Sequence, residues 1–191
     1  MEKTLISQFD FEAMAEKAAE QWKLILGLIV AVLAVIGAMG LMNSIHSKKE
    51  LDASNSLYQA QVAATKAVAD KKYDAADTAY ANMIDGHRGT RAAFEAELLV
   101  GDMWTDAGNF DKASGYYQRA VNDATDPFSK LLATYTIGTS KESAGKYDEA
   151  VKSYEEALAA ASSDFLRPEL LMAEARCYEA LGQPKKAIEI D

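Results

Sequence analysis

The chain has little of what most catalytic and metal sites are built from. Among 191 residues there is one cysteine, Cys177, and there are two histidines, His46 and His87. One cysteine excludes an internal disulfide framework. On a helical pattern it reads as a small core residue, since free cysteine is among the most buried side chains. Neither histidine has cysteine or carboxylate neighbours at ligand spacing, so no metal site and no catalytic triad is expected. The Gly86-His87-Arg88-Gly89 stretch follows no strand and reads as a surface turn rather than a phosphate loop. Strict alternation bounded by hairpin turns is also missing, which argues against strands. There is no basic cluster. Net charge is −9, and from residue 47 onward 17 Lys/Arg face 24 Asp/Glu. That balance excludes phosphate-driven nucleic-acid binding. No cofactor and no enzymatic activity is expected.

What is present falls into two parts. Residues 24–42, from Leu24 to Met42, carry no charge. As a helix this stretch spans about 28 Å, close to the hydrocarbon core of a bilayer. A cleaved signal peptide has a short basic start and an apolar region of about 7–15 residues. Here the preceding 23 residues include Glu2, Asp10, Glu12, Glu16 and Glu20, and the apolar run is longer. An uncleaved transmembrane anchor is therefore the expectation. Lys17 and Lys23 on one side balance Lys48 and Lys49 on the other, so charge leaves the orientation open. Within the N-terminal segment 1–23, Phe11, Met14, Ala15, Ala18 and Trp22 recur at helical steps. That pattern fits either an amphipathic helix on the membrane surface or an ordinary polar extension. Residues 43–56 read as a polar hinge, at 43–50, followed by the start of the first repeat helix.

The second part repeats itself. Ala76, Ala113, Ala150 and Ala187 are each 37 residues apart, within the related stretches starting at Lys71, Gly108, Gly145 and Gly182. A fixed period of this size marks a stacked array, in which no unit buries its apolar face alone. Each unit reads as two helices, A and B. The A helices are expected at about 51–69, 91–107, 129–144 and 168–181. The B helices are expected at about 73–84, 110–124 and 147–161, with a fourth starting at Pro184. Gly108, Gly145 and Gly182 end A helices, where a left-handed residue is least costly without a Cβ.

Gly101, Gly108, Phe110, Ala113, Tyr117 and Ala120, and again Gly138, Gly145, Tyr147, Ala150, Tyr154 and Ala157, resemble the tetratricopeptide repeat pattern. The outer copies depart from it, with Lys71 in place of the glycine in the first and Pro184 in place of the aromatic in the last. The fold expected is all-α: a single N-terminal transmembrane helix, then a tetratricopeptide-repeat superhelix over 57–191. The superhelix has about four helix pairs, the last incomplete, as in a domain truncated at its C-terminus. In that architecture the inner face is built from A helices. It would include Tyr58, Leu98, Asp102, Leu132, Tyr135, Met172 and Arg176 as a candidate partner-binding groove, flanked by Gln61, Thr65, Glu95, Thr139 and Glu179. The mix of apolar and acidic residues suits apolar or basic peptide segments.

The layout of short N-terminal segment, one membrane helix and repeat array looks like the bacterial YfgM-like family, ancillary subunits of the Sec translocon. The residues that carry the resemblance are the 11–22 lead-in, the 24–42 span, and Leu57-Tyr58-Gln59-Ala60 with Val68. The resemblance implies a cytoplasmic N-terminus, an inner-membrane anchor and a periplasmic repeat domain. It also implies protein partners: the translocon, a membrane-anchored prolyl-isomerase-like chaperone, and unfolded client chains. The function expected is a tethered adaptor or chaperone-like scaffold. The alternative is a structural assembly factor that docks one fixed partner in a cell-envelope complex.

Overall fold

The computed structural model describes residues 11–161 and 164–190. The expected N-terminal segment falls outside these residues over 1–10, and the amphipathic face of 11–22 rests mostly on side chains outside them. Among the described residues all regular structure is helical: α1 (Phe11–Ala69), α2 (Tyr73–Gly86), α3 (Arg91–Asp106), α4 (Phe110–Asp123), α5 (Pro127–Ser143), α6 (Tyr147–Ala160), a 3₁₀ turn (Asp164–Leu166), α7 (Arg167–Ala180) and α8 (Pro184–Ile188). The chain divides into two compact units, Met1–Lys48 and Lys49–Asp191.

The first unit holds the apolar stretch. Among the described residues its large apolar side chains, Leu24, Leu28, Leu33, Ile36 and Leu41 among them, are exposed. By length and composition this helix is long and apolar enough to cross a membrane, which is compatible with a single-pass anchor.

The second unit is the array, and it begins earlier than the sequence suggests. Residues 43–50 were expected as a hinge, yet they are helical, because no glycine or proline interrupts α1 between residue 43 and its end at Ala69. Polar composition alone does not break a helix. Lys49 Nζ donates to the Arg88 carbonyl at 3.0 Å, and the Arg91 N–H donates to Glu50 at 3.2 Å. Ala53 and Leu57 are already buried in the core. The second compact unit begins at Lys49, and its first A helix is the last part of α1.

Two buried clusters fill the array. One runs from Ala53 and Leu57 through Ile84, Val100 and Trp104 to Tyr117. The other joins Leu131, Val151, Tyr154, Leu170 and Cys177. The A-to-B turns repeat one hydrogen-bonding motif. The N–H groups of Lys72, Asn109, Lys146 and Gln183 donate to the carbonyls of Ala67, Trp104, Lys141 and Tyr178 at 2.7, 2.8, 2.9 and 2.9 Å. Each closes a helix C-terminus around a residue with positive φ. That residue is glycine in three copies, but in the first it is Lys71, at φ 59°. A side chain there costs about 1–2 kcal/mol, part of which glycine returns through its looser unfolded chain. Lys71→Gly should therefore raise stability by about 0.5 kcal/mol. A urea midpoint unchanged or lowered in the variant would contradict this account of the turn.

Candidate partner-binding groove

The seven groove residues expected from the sequence are placed very differently from one another. Tyr58 is 66% exposed on α1 and Met172 63% exposed on α7. Leu98 is half-buried and packs on the first core cluster. Leu132 is half-buried on α5. Tyr135 packs on the second cluster, its ring 5.8 Å from that of Tyr154. Arg176 is not a free cation. Its Nε and Nη2 donate to the two Glu142 oxygens at 3.0 and 3.1 Å, and Glu142 also accepts from the Tyr154 hydroxyl at 2.8 Å. A bidentate pair of this kind already commits the guanidinium to its partner. Asp102 is exposed and accepts from the Tyr117 hydroxyl at 2.7 Å.

Of the seven, only Asp102 lines a cleft of about 340 Å³ between α1 and α3, over the start of α2. Ala64, Thr65 and Val68 form the α1 wall. Leu99, Asp102, Met103 and Asp106 form the α3 wall, and Tyr73 and Tyr80 of α2 lie between them. Thr65, from the flanking set, is the one other expected residue there. The sequence reading missed the remainder. Asp106 was findable, since it sits one turn beyond Asp102 on the same helix face. Leu99, Met103 and the two tyrosines were not, because their spacing reads as core packing. Two further depressions have no comparable apolar floor. One of about 400 Å³ lies over turn residues 107–111 and Lys146. The other, of about 80 Å³, sits between α4 and α5, beside the 146–149 stretch.

The electrostatics of the cleft are one-signed. Its two charged residues are both acids, and no Lys or Arg pairs with Asp102 or Asp106 among the described residues. Although Asp102 as a residue is exposed, partial burial of its carboxyl holds it above its ordinary range, against the Tyr117 hydrogen bond and helped by the Asp106 charge. The buried Cys177 thiol lies in the second core, pushed up to about 11 by burial first and then by Glu142. It is a packing residue with little thiolate at neutral pH.

Stacked antiparallel helix pairs with a conserved-geometry turn at every repeat define a helical repeat protein of the solenoid class. The model of the tetratricopeptide repeat-like domain family matches residues 19–183, most of the chain, and the protein belongs to that family. No curated protein matches the chain at a significant level. Domains of this family generally mediate binding of protein partners, so a protein-interaction role is the coarse functional reading.

Proposed function

We propose that the protein is a membrane-tethered interaction scaffold with an adaptor or chaperone-like role at the Sec translocon of the bacterial inner membrane. In this reading the 24–42 span is the anchor and the N-terminus is cytoplasmic. The array works on the periplasmic side, where it engages the translocon, a membrane-anchored prolyl-isomerase-like chaperone and emerging client chains. Its role is binding rather than catalysis. The observation that carries the reading is the extent of the family match. It begins at residue 19 and takes in the apolar span together with the repeats. The match supports reading the apolar span and the repeats as parts of one unit. A tether of this kind raises the local concentration of the array for whatever passes the same membrane.

Affinity capture of the tagged full chain in mild detergent tests the proposal. Recovery of Sec subunits, the prolyl-isomerase-like chaperone and a varied set of unfolded clients is the expected result. A single stoichiometric partner without them would support the assembly-factor alternative instead. A reporter fused after Asp191 should be active only outside the cytoplasm, and cytoplasmic activity would overturn the orientation.

A further inference from the structure

The α1–α3 cleft has two unlike walls. The α1 wall is uncharged, being made of Ala64, Thr65 and Val68. Tyr58 and Gln61 continue the same helical face, at seven and four residues before Thr65. The α3 wall is acidic: Glu95, Asp102 and Asp106 fall on one face, with Leu99 and Met103 between and below them. The floor is aromatic and aliphatic. The space, about 340 Å³, is at the small end of natural ligand sites and has room for one or two side chains rather than a whole element.

The charges on this wall are unbalanced from within the chain. Some acids of the array have cations beside them: exposed Asp74 has Lys112 at 2.7 Å, exposed Asp85 has Arg88 at 2.8 Å, and partly buried Glu142 has Arg176 at 3.0 Å. Asp102 and Asp106 have none among the described residues, and at i,i+4 they repel each other. A cation arriving from outside would relieve that repulsion, and an apolar side chain next to it would cover Leu99, Met103 and Val68.

We propose that this cleft binds an extended peptide segment that seats one aliphatic or aromatic side chain on the Tyr73–Tyr80–Met103 floor. A Lys or Arg one or two residues away lies against Asp102 and Asp106. The inference rests on the scaffold reading above and names the chemistry of its ligand. It selects against acidic segments, because a carboxylate brought to the α3 wall adds a further negative charge beside Asp102 and Asp106. Recognition combines a small buried apolar contact with exposed charge. Affinity is accordingly modest and falls with salt.

Fluorescence anisotropy on the full chain in neutral detergent tests this. The probe is a labelled nine-residue peptide with a central Leu-Phe flanked by lysines, and its counterpart has glutamates in their place. The lysine peptide should bind about tenfold or more tightly than the glutamate peptide at low salt, with the difference shrinking as salt is raised. Asp106→Asn should weaken the lysine peptide about threefold and leave the helical spectrum unchanged, since Asp106 holds no other group among the described residues. Met103→Arg, which places a cation in the cleft, should abolish the difference between the peptides. Equal binding of the two peptides, or full affinity in both variants, would overturn the inference. If the lysine peptide fails to bind while the full chain still captures protein partners, the cleft specificity is wrong and the scaffold reading stands. If it binds selectively while no partner is captured, the inference stands and the scaffold reading falls.

Discussion

Gly138→Ala should be among the most damaging single-methyl changes in the array, lowering stability by about 3 kcal/mol. A Cβ built at Gly138 lies 2.3 Å from Cε1 of Tyr154, and one at Gly101 lies 2.3 Å from Cε1 of Tyr117. Neither ring has anywhere to go. Tyr154 is 0% exposed, leans on the Tyr135 ring and is tied by its hydroxyl to Glu142. Tyr117 is 1% exposed and tied to Asp102. The A and B helices must therefore separate, and interiors packed at crystal density resist that. The clash is with the ring, so Tyr154→Phe gives no relief, whereas Tyr154→Leu in the Gly138→Ala background should recover part of the loss. A double-mutant cycle by chemical denaturation reads that coupling directly. Gly115 supplies the control. It lies within α4 with nothing inside 4 Å of its would-be Cβ, so Gly115→Ala should stabilise by about 0.5–1 kcal/mol. If both substitutions cost the same, close approach is not why Gly138 is glycine.

Glu97→Gln should stabilise the protein at alkaline pH and do little in acid. Glu97 is 1% exposed inside the first core, and neither of its oxygens receives a hydrogen bond. Arg119 Nε of α4 stands 3.4 Å away, and Arg119 is itself drawn toward Asp85 at 3.7 Å. Burial pushes the Glu97 carboxyl up to about 7. The Asp123 charge adds to the rise, while Arg119, and more weakly Arg88, oppose it. The folded chain thus holds this proton more tightly than the unfolded chain, where the ordinary value is 4.5. The group's contribution to stability is complete below that value. It is lost as pH rises toward 7 and stays lost above. Glutamine mimics the protonated acid without titrating. At pH 8 it should gain roughly 3 kcal/mol over the parent, from a rise of 4.5 to about 7 at roughly 1.4 kcal/mol per pH unit, with near parity at pH 4.5. Thermal melts of parent and variant across this range supply the comparison. A variant less stable at pH 8 would mean that the Arg119 pair outweighs the desolvation of the carboxylate.

These two residues also mark where the sequence is legible and where it stops. The period of 37 locates the helix pairs because the repeated residues, Gly101 with Tyr117 and Gly138 with Tyr154, meet in space. The turns follow the same logic, and even Lys71 adopts the left-handed backbone of its glycine counterparts. The continuity of α1 was hidden because residues 43–50 are polar without being helix-breaking. The sequence places Arg176 in the groove with no sign of its partner, Glu142, which lies in the preceding repeat, where no local pattern shows it. Glu97 carries no sequence signal of burial at all, since its own helix pattern allows either face. The cleft was half legible. Its acids stand out along α3, whereas its floor uses aromatics whose spacing looks like core.

As proposed above, the array engages protein partners through the α1–α3 cleft, at the site of protein translocation. The most direct test is a photo-activated crosslinker placed at Asp106, compared with one at exposed Asp111 on α4, in the intact membrane. The account predicts adducts from the cleft position that contain Sec subunits or clients in transit, and few from Asp111. Equal yields from the two positions, or cleft adducts with a single protein unrelated to translocation, would contradict it.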